Sequence, residues 1–254
     1  MPELFDLTGK KAIVTGAGRG LGAAMAHALA ASGAHVTLAG RSPGPLEEVA
    51  GAIRQAGGMA DTAVCDVTCR TQIDGMVQAV TERQGRIDIL VNNAGITDRG
   101  PLTGVSDEAW DLMMQTHLAG PFMACRAVLP EMLQRGSGKI INTVSVVGEL
   151  GRPNVVPYAT AKGGLRMLTR SLATEVAGSG IQVNGIGPGY FMTEMNRQIM
   201  ADRAFFDKRV ARVPAGRWGE PEELGGTVVY LASRASNYVS GQIIYVDGGL
   251  TASF

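Results

Sequence analysis

Two hydrophobic periods alternate along the whole chain. Short runs rich in β-branched residues, apolar at consecutive positions, recur at Lys11–Thr15, His35–Ala39, Ile87–Val91, Lys139–Val144, Ile181–Ile186 and Gln242–Val246. Strands that are apolar on both faces suit the interior of a parallel sheet. Between them apolar residues return at helical spacing. Leu21, Met25, Ala28 and Leu29 share one helix face, and Ile73, Met76, Val77 and Val80 share another. Strand and helix in strict turn predict βαβ units, hence an α/β fold: a doubly wound parallel sheet with helices on both faces. No repeat or Pro/Ser-rich linker breaks the pattern, which predicts a single domain over 1–254.

The alternation lapses once. From Gly185 to about Trp218, Met, Phe and Arg mix with Pro188, Pro214 and the glycines at 185, 187, 189 and 216. A long excursion at the carboxyl end of a strand in such a sheet predicts a lid over the ligand crevice, at about 188–216.

Composition narrows the partners. The 35 glycines show no three-residue period and no linker clustering, so they point to tight turns and close backbone approaches. Lys+Arg 23 balances Asp+Glu 23, and no basic run occurs, which argues against nucleic acid or an anionic membrane as partner. No apolar run is long enough to span a bilayer, and MPELFDLTGK lacks a signal pattern. Cys65, Cys69 and Cys125 are odd in number and scattered, as reduced thiols are; a cytoplasmic protein is expected.

Directly after the first strand comes Thr15-Gly16-Ala17-Gly18-Arg19-Gly20-Leu21-Gly22, opening a helix. Such a loop lets backbone N–H groups approach a pyrophosphate at a helix N-terminus. The G-x-G-x-x-G spacing fails from Gly16, whose last position falls on Leu21; a G-x-G-x-x-A match begins at Gly18. About 20 residues past such glycines an acid usually binds a ribose 2′-OH, whereas an Arg suits a 2′-phosphate. Here Gly40 is followed by Arg41, and Arg19 projects from the loop. With no carboxylate at that place, NADP(H) is the expected cofactor, NAD remaining possible.

The loop also matches TGxxxGxG through Thr15, Gly16, Gly20 and Gly22. Further on, Asn92-Asn93-Ala94-Gly95 follows a strand, Ser145 ends another, Tyr158-x-x-x-Lys162 comes 13 residues later, and Pro188-Gly189 follows the next. Over essentially its whole length the chain resembles the short-chain dehydrogenase/reductase family. That resemblance implies a Rossmann-type sheet and hydride transfer between a nicotinamide cofactor and an alcohol or ketone. It implies cofactor contacts at Thr15, Gly16, Arg19, Gly20, Leu21, Gly22, Asn93, Ala94, Gly95, Pro188 and Gly189. Asp66-Val67 resembles the family's adenine-contacting pair, and Thr193 its carboxamide contact. A homotetramer is also implied.

Tyr158 and Lys162 lie four apart, on one helix face, after Pro157 at a position suited to a first turn. A free tyrosine, with pKa about 10, is a poor base at neutral pH, and a neighbouring ammonium is expected to lower it. Ser145 is the expected hydrogen-bond donor to the substrate oxygen. The resemblance expects an Asn in the proton relay, but this chain has His117. In the family the main-chain carbonyl at that position holds a relay water. Pro121, four residues on, has no N–H to give the His117 carbonyl and disfavours a straight helix, so relay function is expected to survive. His27 and His35 show no ligand-like partners, and no metal is expected.

The strings GELGR (148–152), NGIGPGY (184–190) and PAGRWGE (214–220), with VDGG (246–249), resemble gluconate 5-dehydrogenases and related sugar-acid reductases. A sugar-acid substrate is therefore expected, with Arg152 or Arg99 for its carboxylate and Tyr190 beside it. The alternatives are a 3-oxoacyl thioester or other ketone reductase, and a cofactor-binding protein with little catalysis.

Overall fold

The structure, a computed structural model, describes residues 2–253 apart from the side chains of Pro2, Gln198, Ile199 and Phe205. Seven parallel strands form one sheet. They are β1 Lys11–Thr15, β2 His35–Gly40, β3 Met59–Val64, β4 Ile89–Asn92, β5 Gly138–Thr143, β6 Ile181–Pro188 and β7 Ile243–Val246. Their order is β3-β2-β1-β4-β5-β6-β7. The helices are α1 Pro2–Phe5, α2 Gly20–Ala31, α3 Pro43–Gln55, α4 Arg70–Gln84, α5 Asp107–Met114, α6 Gly120–Arg135, α7 Val156–Glu175, α8 Arg197–Ala201, α9 Arg203–Val210 and α10 Gly225–Ala232.

Period-two alternation sorts the strands' side chains into two cores. Ala12 and Val14 of β1, with Val36 and Leu38 of β2, pack on Met25 and Leu29 of α2, Ile53 of α3 and Val228 of α10. Ile13, Leu90 and Ile140 face the other way, onto Ile73 and Val80 of α4 and Val128 and Met132 of α6. Both sheet faces are covered, and this is why the strands are apolar throughout.

Six of the seven strands match the expected runs to within one or two residues at most ends. The seventh, β3, is missing from the sequence reading because it is an edge strand that pairs only with β2. Of its residues MADTAV only Ala60 is buried, so it shows neither a continuous apolar run nor clean alternation. Two further points differ from expectation. Ser145 lies beyond the end of β5, as the cap of a short 3₁₀ turn at Val146–Gly148. Gly185 and Gly187 lie inside β6 rather than at the start of an excursion. A Cβ at these sites would come 2.5 Å from Ile243 and 2.4 Å from Tyr245, side chains that lean across from β7.

The sheet order reverses between β1 and β4, which opens a crevice at the carboxyl ends of these strands. Behind it a buried polar chain ties sheet to helix. Asn92 Nδ2 donates to Asn142 Oδ1 at 2.9 Å, Asn142 Nδ2 donates to Thr169 Oγ1 at 2.9 Å, and Thr169 donates to the Leu165 carbonyl. Removing the middle link strands buried groups on both neighbours. Asn142→Ala is expected to lower the unfolding free energy by about 2–3 kcal/mol. In the same chemical denaturation series, exposed Thr174→Ala should cost less than about 0.5 kcal/mol.

Candidate active site

The loop after β1 is clamped from below. Thr15 is buried and does not line the crevice; its Oγ1 accepts from the Asn93 N–H at 2.9 Å and the Ala94 N–H at 3.1 Å. Asn93 Nδ2 donates in return to the carbonyls of Thr15, at 3.0 Å, and Gly16, at 3.2 Å. Gly22 has no room for a side chain, since a Cβ there would lie 2.3 Å from the Gly16 oxygen. α2 then begins with no side-chain cap on its first N–H groups. Thr193 closes over the loop, 3.7 Å from where a Gly20 Cβ would stand.

From this loop a cleft of about 390 Å³ runs past Arg41, Asp66 and Val67 to Ser145, Tyr158 and Lys162, and on to Arg99, Arg152 and Tyr190. Leu21, Gly95, Pro188 and Gly189 also line it. An uncapped helix N-terminus at one end of a long cleft, with cations beside it, fits an extended dinucleotide. The expectation of two guanidiniums clear of carboxylates needs correction. Arg19 is paired with Glu194 at 3.1 Å, and Arg41 lies within electrostatic reach of Asp66. Both acids come from segments remote in sequence. Asp66 is itself occupied in a tight turn, accepting from the N–H and hydroxyl of Thr68.

Tyr158 and Lys162 project from the first turns of α7, with the Lys162 ammonium 5.7 Å from the Tyr158 ring centroid. Lys162 donates to the Thr143 carbonyl at 2.6 Å, and burial pushes it down to about 7. The expected lowering of Tyr158 by an ammonium is not what the structure shows. Burial raises the phenol above its ordinary value of 10.0, and the opposing effects come from Ser145, Arg99 and Arg152. Desolvation outweighs the charges because the ring is sequestered.

His117 lies in a wide π turn, Gln115–Ala119, between α5 and α6. The expected distortion of a straight helix is therefore present, just ahead of Pro121. The imidazole is buried and meets the Tyr158 ring edge-on at 4.9 Å and 89°. Its Nε2 either donates to the Ile96 carbonyl at 2.8 Å or accepts from the Ile96 N–H at 3.1 Å, according to tautomer. Nδ1 has no hydrogen-bond partner. Burial, with Lys162 adding repulsion, pushes His117 down to about 3, so the ring is neutral.

At the far end of the cleft Arg99, Arg152 and Tyr190 come together, joined by Arg209 from α9, which sequence reasoning missed. Arg209 donates to the Tyr190 hydroxyl at 2.8 Å, and Arg99 donates to Asn196 at 3.1 Å. Tyr190 stacks on Trp218, with centroids 5.2 Å apart, and Trp218 contacts Phe206. No periodic or motif signal marks Arg209, Asn196 or Glu194; they reach the site only through the folding of the segment after β6. His35, read as lacking partners, in fact meets Asp61 at 3.0 Å, yet the described residues contain no cluster able to hold a metal ion. No helix among them is long and apolar enough to cross a membrane.

Comparison with known proteins agrees with this geometry. The family described as enoyl-(acyl carrier protein) reductase matches residues 16–251. Gluconate 5-dehydrogenase of Gluconobacter oxydans is 46% identical, covering 99% of this chain and 98% of that protein. The chain belongs to the short-chain dehydrogenase/reductase family. A second relative of this dehydrogenase/reductase, the 5-keto-D-gluconate 5-reductase of Escherichia coli K12, is 40% identical over 98% of both chains. The crystal structure of a gluconate 5-dehydrogenase from Burkholderia cenocepacia, in complex with NADP and tartrate, superposes with a TM-score of 0.96. Its identity to this chain is 45%, covering 100% of this chain and 99% of that one.

The buried imidazole makes a pH-dependent contribution to stability. Its pKa is about 3 in the fold against 6.5 for the free side chain, so between these values the unfolded chain binds the extra proton. Stability from this site is full above 6.5 and lost as pH falls toward 3, by up to about 1.4 kcal/mol per pH unit. His117→Asn should give a shallower fall of urea-unfolding free energy from pH 6.5 to 4; an unchanged slope would contradict a neutral buried ring.

Proposed function

We propose that this dehydrogenase/reductase is an NADP-dependent enzyme that interconverts a secondary hydroxyl of a sugar acid with the corresponding ketone. The observation that carries the reading is the pair of guanidiniums, exposed Arg99 and half-buried Arg152, set within electrostatic reach of Tyr158. A free carboxylate on the substrate complements them, which a 3-oxoacyl thioester does not offer. The sugar-acid names of its relatives support the same choice.

In this reading the pyrophosphate rests on the N-terminus of α2, and Arg41, with Arg19 beside it still held by Glu194, faces the 2′-phosphate. Asp66 and Val67 flank the adenine, while Thr193, Pro188 and Gly189 border the nicotinamide. NADP⁺, when bound, supplies the hydride acceptor. Ser145 holds the substrate oxygen by a hydrogen bond. Tyr158 takes the hydroxyl proton on its Oη, and in reduction returns it. Lys162, held by the Thr143 carbonyl, brings its positive charge to the phenolate as that forms. The His117 carbonyl, which Pro121 cannot engage four residues on, holds the relay water; the neutral imidazole packs against Tyr158 and fixes the turn.

The segment at about 188–216, anchored by the Tyr190–Trp218 stack, acts as the lid. A single domain over 1–254, a homotetrameric assembly and a cytoplasmic location complete the proposal. A rate panel with NADP⁺ and NAD⁺ against gluconate and neutral alcohols tests it; activity only on non-acidic alcohols or ketones would overturn the carboxylate assignment. Tyr158→Phe should lower kcat by about 10²–10⁴-fold with NADPH binding retained in a fluorescence titration. Arg41→Ala should weaken NADPH about tenfold and leave NADH unaffected. Equal losses for the two cofactors would mean that Arg41 does not read the 2′-phosphate.

A further inference from the structure

We infer that the preferred substrate is a sugar acid with two anionic groups: besides its carboxylate, a second carboxylate or a phosphate. The inference deepens the sugar-acid reading and rests on it.

The argument begins from uncompensated charge. Among the described residues no carboxylate forms an ion pair with Arg99 or Arg152. The acids nearest in sequence or on the same rim are engaged elsewhere. Glu194 holds Arg19 at 3.1 Å, and Asp98 accepts from the backbone N–H of Arg99 at 2.8 Å. The Arg99 side chain donates to a neutral amide, Asn196, and the buried Nε of Arg152 has no hydrogen-bond partner at all. Both guanidiniums are partly desolvated, and each feels the other's neighbour Arg209; Arg212 adds further repulsion at Arg152. Arg152 and Arg209 also share the Tyr190 ring, at 5.8 and 5.7 Å from its centroid.

Like charges gathered at one end of a cleft, and partly withdrawn from water, are costly unless something of opposite sign meets them. A single carboxylate, even shared between the two guanidiniums, brings one negative charge against two positive ones. Two acidic groups neutralise both. Charge complementarity of this kind discriminates between partners more than it adds raw affinity, so the expected mark is a preference ratio.

The test compares gluconate, glucarate and 6-phosphogluconate, which share one sugar configuration, as substrates for NADP⁺ reduction at fixed ionic strength. At least one of the two doubly acidic compounds should exceed gluconate in kcat/KM by about tenfold. Whether glucarate or 6-phosphogluconate carries the advantage distinguishes carboxylate from phosphate. Arg152→Met, with retained NADPH binding as proof of folding, should reduce the favoured diacid more than gluconate and bring the two within about twofold. Gluconate turned over as well as or better than both would overturn the inference and leave the sugar-acid reading standing. A preference that survives Arg152→Met would overturn the role given to that residue. If all three acids are inert while neutral alcohols react, both readings fall.

Discussion

Everything in the cleft depends on the four hydrogen bonds between Thr15–Gly16 and the Asn93–Ala94 turn. They join the carboxyl ends of β1 and β4, the two strands between which the sheet order reverses. The crevice exists because of that reversal, and the clamp sets its floor. It also positions the glycine-rich loop, because the amide of Asn93 holds the Gly16 carbonyl while the space above Gly22 is kept clear of side chains. α2 then starts with no side chain capping its first N–H groups.

Desolvation is the second organising force, and it acts on Tyr158 and the two groups set against its ring. Lys162 is brought down to about 7, His117 to about 3, and Tyr158 is raised. Each shift favours the neutral form. His117 is thus neutral at ordinary pH, whereas Lys162 stands near half-protonation and carries its charge most readily when a phenolate forms beside it. The arginines at the far end of the cleft act in the opposite sense: a guanidinium keeps its charge. One cleft therefore holds a switchable part and a permanently positive part side by side.

Most of this architecture was legible in the amino-acid order. Buried strands such as Ile89–Asn92 announce themselves as apolar runs, and the glycine loop, Asn93, Ser145, Tyr158 and Lys162 stand at spacings that only their joint presence makes specific. What stayed hidden has physical reasons. β3 is an edge strand with a single buried residue, so its pattern is weak. The Arg19–Glu194 pair links positions 175 residues apart, and no local rule foresees it. Arg209 sits on a helix with other cations, Arg203 and Lys208, and nothing in that run says which of them turns toward Tyr190. The pKa order of Tyr158 and Lys162 failed for a related reason: spacing shows that two groups meet, while burial, which decides their charge, is a property of the whole fold.

The wide turn at Gln115–Ala119 has a geometric consequence of its own. An α-helix rotates by about 100° per residue, so a turn that takes one residue more puts α5 and α6 out of phase. The buried side of α6, with Ala124, Cys125 and Val128, and the edge-on contact of His117 with Tyr158 are satisfied together only at this phase. Chain length between Met114 and Gly120 is therefore constrained more tightly than the identity of the side chains there. Deleting one residue would rewind the turn and swing His117 off the tyrosine, even with every contact residue retained.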